Sequence, residues 1–256
     1  MMNNTSLKAG MWVAAAVLSL GLGAEAFATP INPVNTRQVP VTIPSSDGAG
    51  TDLQTILNTM FGGVSATTDQ QSTGMWSAID PTAAAIFPTL RFEYAGNASS
   101  NVFGIWSGTD TTNVVGHDIF TGPASPNTLA QLTWDTSGRL TISGGAGVSA
   151  VTNFVGINPL SFGFYLRTGA GETFYTVDQL NGGLAQALAF RDPSGAAWAL
   201  AFEDVNLRSG DSDYNDMVVR VESIKPVPEP ASLLLLGSGL AGIGVWSLKR
   251  RKLQSI

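Results

Sequence analysis

The sequence predicts an all-β fold, an antiparallel β-sandwich of jelly-roll-like type, with one short N-terminal helix and a C-terminal transmembrane helix. Three observations carry this. About ten short strand-like runs are present, and several alternate apolar and polar residues with period two, as half-buried antiparallel strands do. Gly, Asn, Asp and Ser punctuate those runs at regular spacing. Only 12% of the 256 residues are charged and none is cysteine, so the core must be built by apolar packing without disulfides.

In chain order, residues 1–28 read as a signal peptide. Lys8 precedes an apolar run from Met11 to Leu22, and Ala26-Phe27-Ala28 places small residues at a cleavage site before Thr29. Signal peptidase is the implied processing partner. Residues 29–87 read as an extended leader, with four prolines before position 50. Within it, residues 51–61 carry a helix: Thr51 or Asp52 caps it, Leu53, Ile56, Leu57 and Met60 fall at helical spacing, and Gly62-Gly63 stops it. Residues 64–82 are small and polar and read as a loop.

The sandwich is expected over residues 88–226. Its strand candidates are LRFEYA (90–95), NVFGIWS (101–107), VVGHDIF (114–120), TLAQLTW (128–134), RLTIS (139–143), LSFGFYLR (160–167), TFYTVD (173–178), AQALAFR (185–191), AWALAFED (197–204) and MVVRVE (217–222). Phe162, Phe164 and Leu166 share one face of their strand, as do Trp198, Leu200 and Phe202. Asn181-Gly182-Gly183 suits positive φ, and Asp192-Pro193-Ser194-Gly195 has proline at the second position of a turn.

Residues 227–256 form a separate unit. Ala231 to Leu248 is an uncharged stretch of eighteen residues, within the ~17–25 that span a bilayer. Lys249, Arg250, Arg251 and Lys252 follow, and such cations stay cytoplasmic, which places the preceding domain outside. Pro228-Glu229-Pro230 before the span and the basic cluster after it resemble the PEP-CTERM sorting signal. That resemblance implies an exosortase in the inner membrane that cuts near Pro228–Pro230. It also implies transient anchoring in that membrane, a final location at the cell surface or in the extracellular matrix, and association with extracellular polysaccharide.

Between the two end segments, residues 29–228 hold eight Lys/Arg against seventeen Asp/Glu, a net charge of −9. Such a domain repels nucleic acid and anionic lipid, so cations and neutral sugars are the expected partners.

The acids concentrate in FEDVNLRSGDSDYNDMVV, Phe202 to Val219, where a strand end and the loop after it carry Glu203, Asp204, Asp211, Asp213, Asn215 and Asp216. Calcium takes six to eight oxygen ligands, and a D-x-D-x-N-D turn gathers several around one point. Without a cation, crowding would raise the carboxyl pKa values. The other reading is a metal-free turn whose Asp and Asn side chains bond nearby backbone N–H groups. Arg208 within the loop could pair with one of the acids. An EF-hand is excluded: Asp216 stands where that loop needs glycine, and Glu222 lies at the far end of a strand, roughly 20 Å away at ~3.3 Å per residue.

The arrangement F-E-D, a gap containing glycine, then D-x-D-Y-N-D before apolar residues resembles the DUF4114 family, as do FGFYLR, TFYTVDQLNGG and ALAFRD upstream. The likeness covers residues 160–222. It implies a Ca²⁺ site at Glu203, Asp204, Asp211, Asp213, Asn215 and Asp216.

No enzyme is expected. The single histidine, His117, neighbours Asp118, but adjacent strand residues point to opposite faces. No nucleophile elbow, zinc motif or phosphate loop appears. The leading functional reading is a structural surface or matrix protein. The alternative is a carbohydrate-binding module or adhesin that uses exposed tryptophan. Among Trp76, Trp106, Trp134 and Trp198, Trp106 lies near a strand end and is the candidate ligand-binding residue, whereas Trp198 should be buried.

Overall fold

The computed structural model describes residues 29–35, 41–43, 52–71, 73–80, 85–93, 99–122 and 124–227. The expected signal peptide, the Pro228–Pro230 motif and the span 231–248 lie outside these residues. Among the described residues no helix is long and apolar enough to cross a membrane.

Helix α1, Leu53–Phe61, forms where its capping predicts. The Asp52 side chain accepts the Thr55 N–H at 2.8 Å, and Gly62 ends it at φ +61°. The strands follow as β1 (Gln70–Gln71), β2 (Trp76–Ala78), β3 (Ala85–Glu93), β4 (Val102–Gly108), β5 (Val114–Thr121), β6 (Ala130–Trp134) and β7 (Leu140–Gly144). Then come β8 (Val151–Phe154), β9 (Gly163–Arg167), β10 (Thr173–Tyr175), β11 (Ala187–Arg191), β12 (Ala197–Phe202), β13 (Met217–Glu222) and β14 (Ile224–Pro226). A 3-10 turn, Asp178–Asn181, follows β10, and Gly182 ends it in the left-handed region at φ +64°.

The chain is mostly β, in antiparallel sheets. Eight strands pair in the order β1-β11-β12-β13-β3-β6-β7-β8, four as β10-β9-β4-β5, and two as β14-β2. The two larger sheets share one core. Phe103, Ile105, Phe162, Phe164 and Leu166 meet Trp198, Leu200, Phe202, Val219 and Leu132 within it, and the Phe103 and Phe202 rings touch edge-on at 6.0 Å. The faces assigned to Phe162/Phe164/Leu166 and Trp198/Leu200/Phe202 therefore both point inward. On the other side of the eight-stranded sheet, Leu53, Ile56 and Leu57 of α1 pack on Leu188, Phe190, Ala199 and Ala201. β11 and β12 are buried on both faces, which is why ALAF and AWALAF are apolar throughout.

Several segments differ from their sequence expectation. The segment read as a loop, 64–82, contains β1 and β2. Trp76 in β2 is wholly buried against Trp198, with ring centroids 4.8 Å apart. β3 begins at Ala85, earlier than residue 90, and runs through Pro88. Its ladder with β6 covers only Ala85 and Ile86, so a residue without an N–H is tolerated there. β8, only four residues long and half polar, carries no periodic signal.

Candidate metal centre

β12 and β13 are neighbours, pairing from Phe202↔Met217 to Ala197↔Glu222. The acidic loop bridges their adjacent ends, and it is built from both sides. Buried Gln186 clamps its first half: its Oε1 accepts the Leu207 N–H at 2.7 Å and its Nε2 donates to Val205 O at 3.0 Å. The second half turns through two non-glycine residues in the left-handed region, Ser212 (φ +64°) and Tyr214 (φ +57°). Tyr214 is wholly buried and anchors that turn, its hydroxyl donating to Ala185 O at 2.8 Å.

Glu203 is the centre of the loop. It is wholly buried; one carboxylate oxygen accepts the Tyr214 N–H, and the other, Oε2, has no partner. Gly210 crosses above that oxygen, where a Cβ would stand 3.3 Å from it. Oxygens of Glu203, Asp211 and Asp213 all lie within 4.8 Å of one another. Two oxygens on opposite sides of one calcium stand at most ~5 Å apart, given bond lengths of ~2.3–2.6 Å. Asp211 is exposed and Asp213 buried, so the cluster opens to solvent on one side only. The donor set is hard oxygen, which suits Ca²⁺ and not a soft metal.

The remaining acids support the loop. Asp204, buried, accepts a hydrogen bond from Asn101 Nδ2 at 3.0 Å, and its N–H donates to Asp216 Oδ2 at 2.8 Å. Asn215 donates its amide to Asp213 and its N–H to Asp213 Oδ1 at 3.2 Å. Of the six residues named from sequence, the fold thus gathers Glu203, Asp211 and Asp213 as candidate ligands. Asp204, Asn215 and Asp216 sit beside them in hydrogen-bonded positions. Arg208 is exposed, while Arg167 pairs with Asp118 and Arg220 with Glu222. Glu222, the would-be twelfth EF-hand position, is therefore engaged on β13. Asn101 was not singled out from sequence; nothing in NVFGIWS announces a polar contact to a loop more than a hundred residues away.

The electrostatics follow from this packing. Burial pushes the Glu203 pKa up to about 8, and Asp216, Asp211 and Asp213 add to the rise; the Tyr214 N–H offsets part of it. Asp216 is raised to about 7, again chiefly by burial, with Asp204, Asp213 and Asp211 contributing. Bringing several carboxylates together in a half-dry loop disfavours their charged forms, and a bound cation reverses that preference.

Trp106 is a correction: it is wholly buried, with its indole Nε1–H donating to Phe164 O at 3.1 Å, so it offers no exposed ring. The strand runs two residues past it to Gly108, and Gly163 opposite leaves room for the indole to lie flat on the sheet. Trp198 is buried as expected, and so are Trp76 and Trp134. His117 and Asp118 do point apart. His117 stacks on Phe154 at 4.8 Å, while Asp118 faces outward to Arg167.

No curated protein and no solved structure matches this chain. One family model matches, over residues 226–251, and it begins where the described domain ends. Val227 donates its N–H to Met75 O at 2.9 Å, the last described hydrogen bond before Pro228. That model is the PEP-CTERM protein-sorting motif, so the chain carries the C-terminal, membrane-anchored sorting signal of an exported, exosortase-targeted protein.

Proposed function

We propose that the processed domain is a structural protein of the cell surface or extracellular matrix, released by its exosortase as a jelly-roll-like sandwich whose acidic loop holds Ca²⁺. The observation that carries the metal reading is the unpartnered, wholly buried Glu203 Oε2 beside the carboxylates of Asp211 and Asp213. A buried anion without a partner costs several kcal/mol unless it is protonated or neutralised by a cation. The likeness of the loop to the DUF4114 motif supports the same residues. Bound there, Ca²⁺ supplies charge neutralisation and joins the ends of β12 and β13. Tyr214, Gln186 and the Asp204–Asp216 bond hold the oxygens in place.

The reading is non-enzymatic: the acidic loop answers to a cation, and His117 packs against a ring. The alternative of a sugar-binding module centred on Trp106 loses its platform, because that indole is buried.

Chelation tests the metal. At [Ca²⁺] near a hundred times Kd, binding adds about 2.7 kcal/mol. For a domain of this size that amounts to a Tm higher by roughly 5–10 °C. EDTA should lower the Tm of the processed protein by that amount, and Asp213→Ala should remove the sensitivity. Superimposable melting curves with and without chelator would count against the site.

A further inference from the structure

The outer face of the four-stranded sheet is built around flat rings. A Cβ at Gly104 would stand 2.1 Å from Tyr165 Cζ, and one at Gly116 3.1 Å from the same ring. A Cβ at Gly163 would stand 2.4 Å from the Trp106 indole nitrogen. These glycines let both rings lie against the backbone. Met75, Val177 and neighbouring apolar side chains pack against both rings. Beside them a groove of about 390 Å³ is lined by the buried Trp106 and Tyr165, walled by Thr173, Tyr175 and Val114 and ended by Asp118 and Arg167.

Its polar end is organised. A β-bulge after Phe103 leaves Ile119 and Phe120 both in the core and aims Asp118 outward. Arg167 donates to both Asp118 oxygens, at 2.9 and 2.7 Å, and the Tyr165 hydroxyl donates to Oδ1 at 2.5 Å. The side chains of Arg167 and Asp118 remain 40% and 26% exposed, so their unused donors and lone pairs face the groove. Burial alone would raise the Asp118 pKa, but the Arg167 and Tyr165 hydrogen bonds and the guanidinium charge hold it below the usual carboxylate range.

The ligand class follows from that chemistry. The ion pair cancels its own charge, so the groove selects neither a cation nor an anion, and the net −9 of residues 29–228 repels anions further. Planar groups offering paired donors and acceptors beside aromatic and apolar walls suit a molecule with hydroxyls on its edge and C–H bonds on its faces. The volume lies at the low end of small-ligand sites, which run from ~300 to 1,000 Å³. We propose that this groove binds a neutral saccharide, one or two rings of a polysaccharide chain, through hydroxyl hydrogen bonds to Asp118 and Arg167 and packing against Tyr175.

Isothermal titration of the full-length chain tests this, in a detergent without a sugar head group and with Ca²⁺ in every arm. The probes are maltotetraose, cellotetraose, mannotetraose and, as the anionic control, tetragalacturonate. At least one neutral tetrasaccharide should bind saturably and more tightly than the uronate. Thr173→Trp, which fills the groove from an edge strand, and Asp118→Asn should each weaken that binding about tenfold or more, the loss expected for about 1.4 kcal/mol. The Tm of Thr173→Trp should match that of the parent, showing that the fold is intact. No binding by any neutral probe, tighter binding of the uronate, or undiminished binding by a folded Thr173→Trp protein would overturn the proposal.

Discussion

The backbone N–H of Asp204 donates to Asp216 Oδ2 at 2.8 Å, tying the second residue past β12 to the residue before β13 across the whole acidic loop. One carboxylate thus closes the loop as a backbone staple, which leaves Glu203, Asp211 and Asp213 to face one another. The separation of roles matters, because each group answers differently to protons and to cations.

Proton dependence is the first consequence. Burial lifts Glu203 to about 8 and Asp216 to about 7 in the folded chain, well above the ordinary carboxyl values near 4 of an unfolded one. Between about pH 5 and 8 the unfolded chain has released protons that the folded chain retains. Stability of the metal-free protein therefore falls as pH rises through that window. Melting in EDTA at pH 5.5 and pH 8 should show the lower Tm at pH 8, and Glu203→Gln should flatten part of the slope. Because Ca²⁺ requires the ionised carboxylates, its affinity should increase over the same range. A metal-free Tm that rises from pH 5.5 to pH 8 would contradict the assigned burial.

Gly104→Ala probes the outer face. The added methyl meets the Tyr165 ring at 2.1 Å, so the ring must lift and its bond to Asp118 must lengthen. Overpacking of this kind costs about 1–3 kcal/mol. The expected readout is a lower denaturation midpoint with unchanged m-value. An unaltered midpoint would show that the ring is not held against that glycine.

How much of this was legible in the sequence depends on the range of the contact. The strand MVVRVE appears over Met217–Glu222 as expected, and the Asp52 cap and Gly62 stop bound α1 within two residues. These are local signals. Trp106 misled because W-S-G-T-D looks like a strand end, whereas its burial is decided by Gly163 on a strand distant in sequence. The acidic loop was visible as a cluster, but its division of labour was not. Asp204 and Glu203 are adjacent, yet Asn101 engages one and leaves the other's Oε2 unpartnered. Only the fold supplies Asn101.

Processing at the C-terminus gives a further expectation. The hydrogen-bonded domain reaches Val227, and the sorting motif starts within residues 226–251, so little chain separates them. Replacing Pro228, Glu229 and Pro230 together with alanine should leave the chain uncut in the inner membrane. Mass spectrometry of membrane and medium from the native host should then find the C-terminal peptide still attached. The parent protein should end near residues 228–230. Identical termini for both would refute exosortase cutting at this motif.

The central claim is that a divalent ion neutralises Glu203, Asp211 and Asp213, and crystallography with calcium present is its most direct test. An anomalous difference map from crystals grown in millimolar CaCl₂ should place one peak among those three carboxylates, with Glu203 Oε2 as a ligand at ~2.3–2.6 Å. A fully ordered loop with no peak there, and Glu203 Oε2 still without a partner, would contradict it.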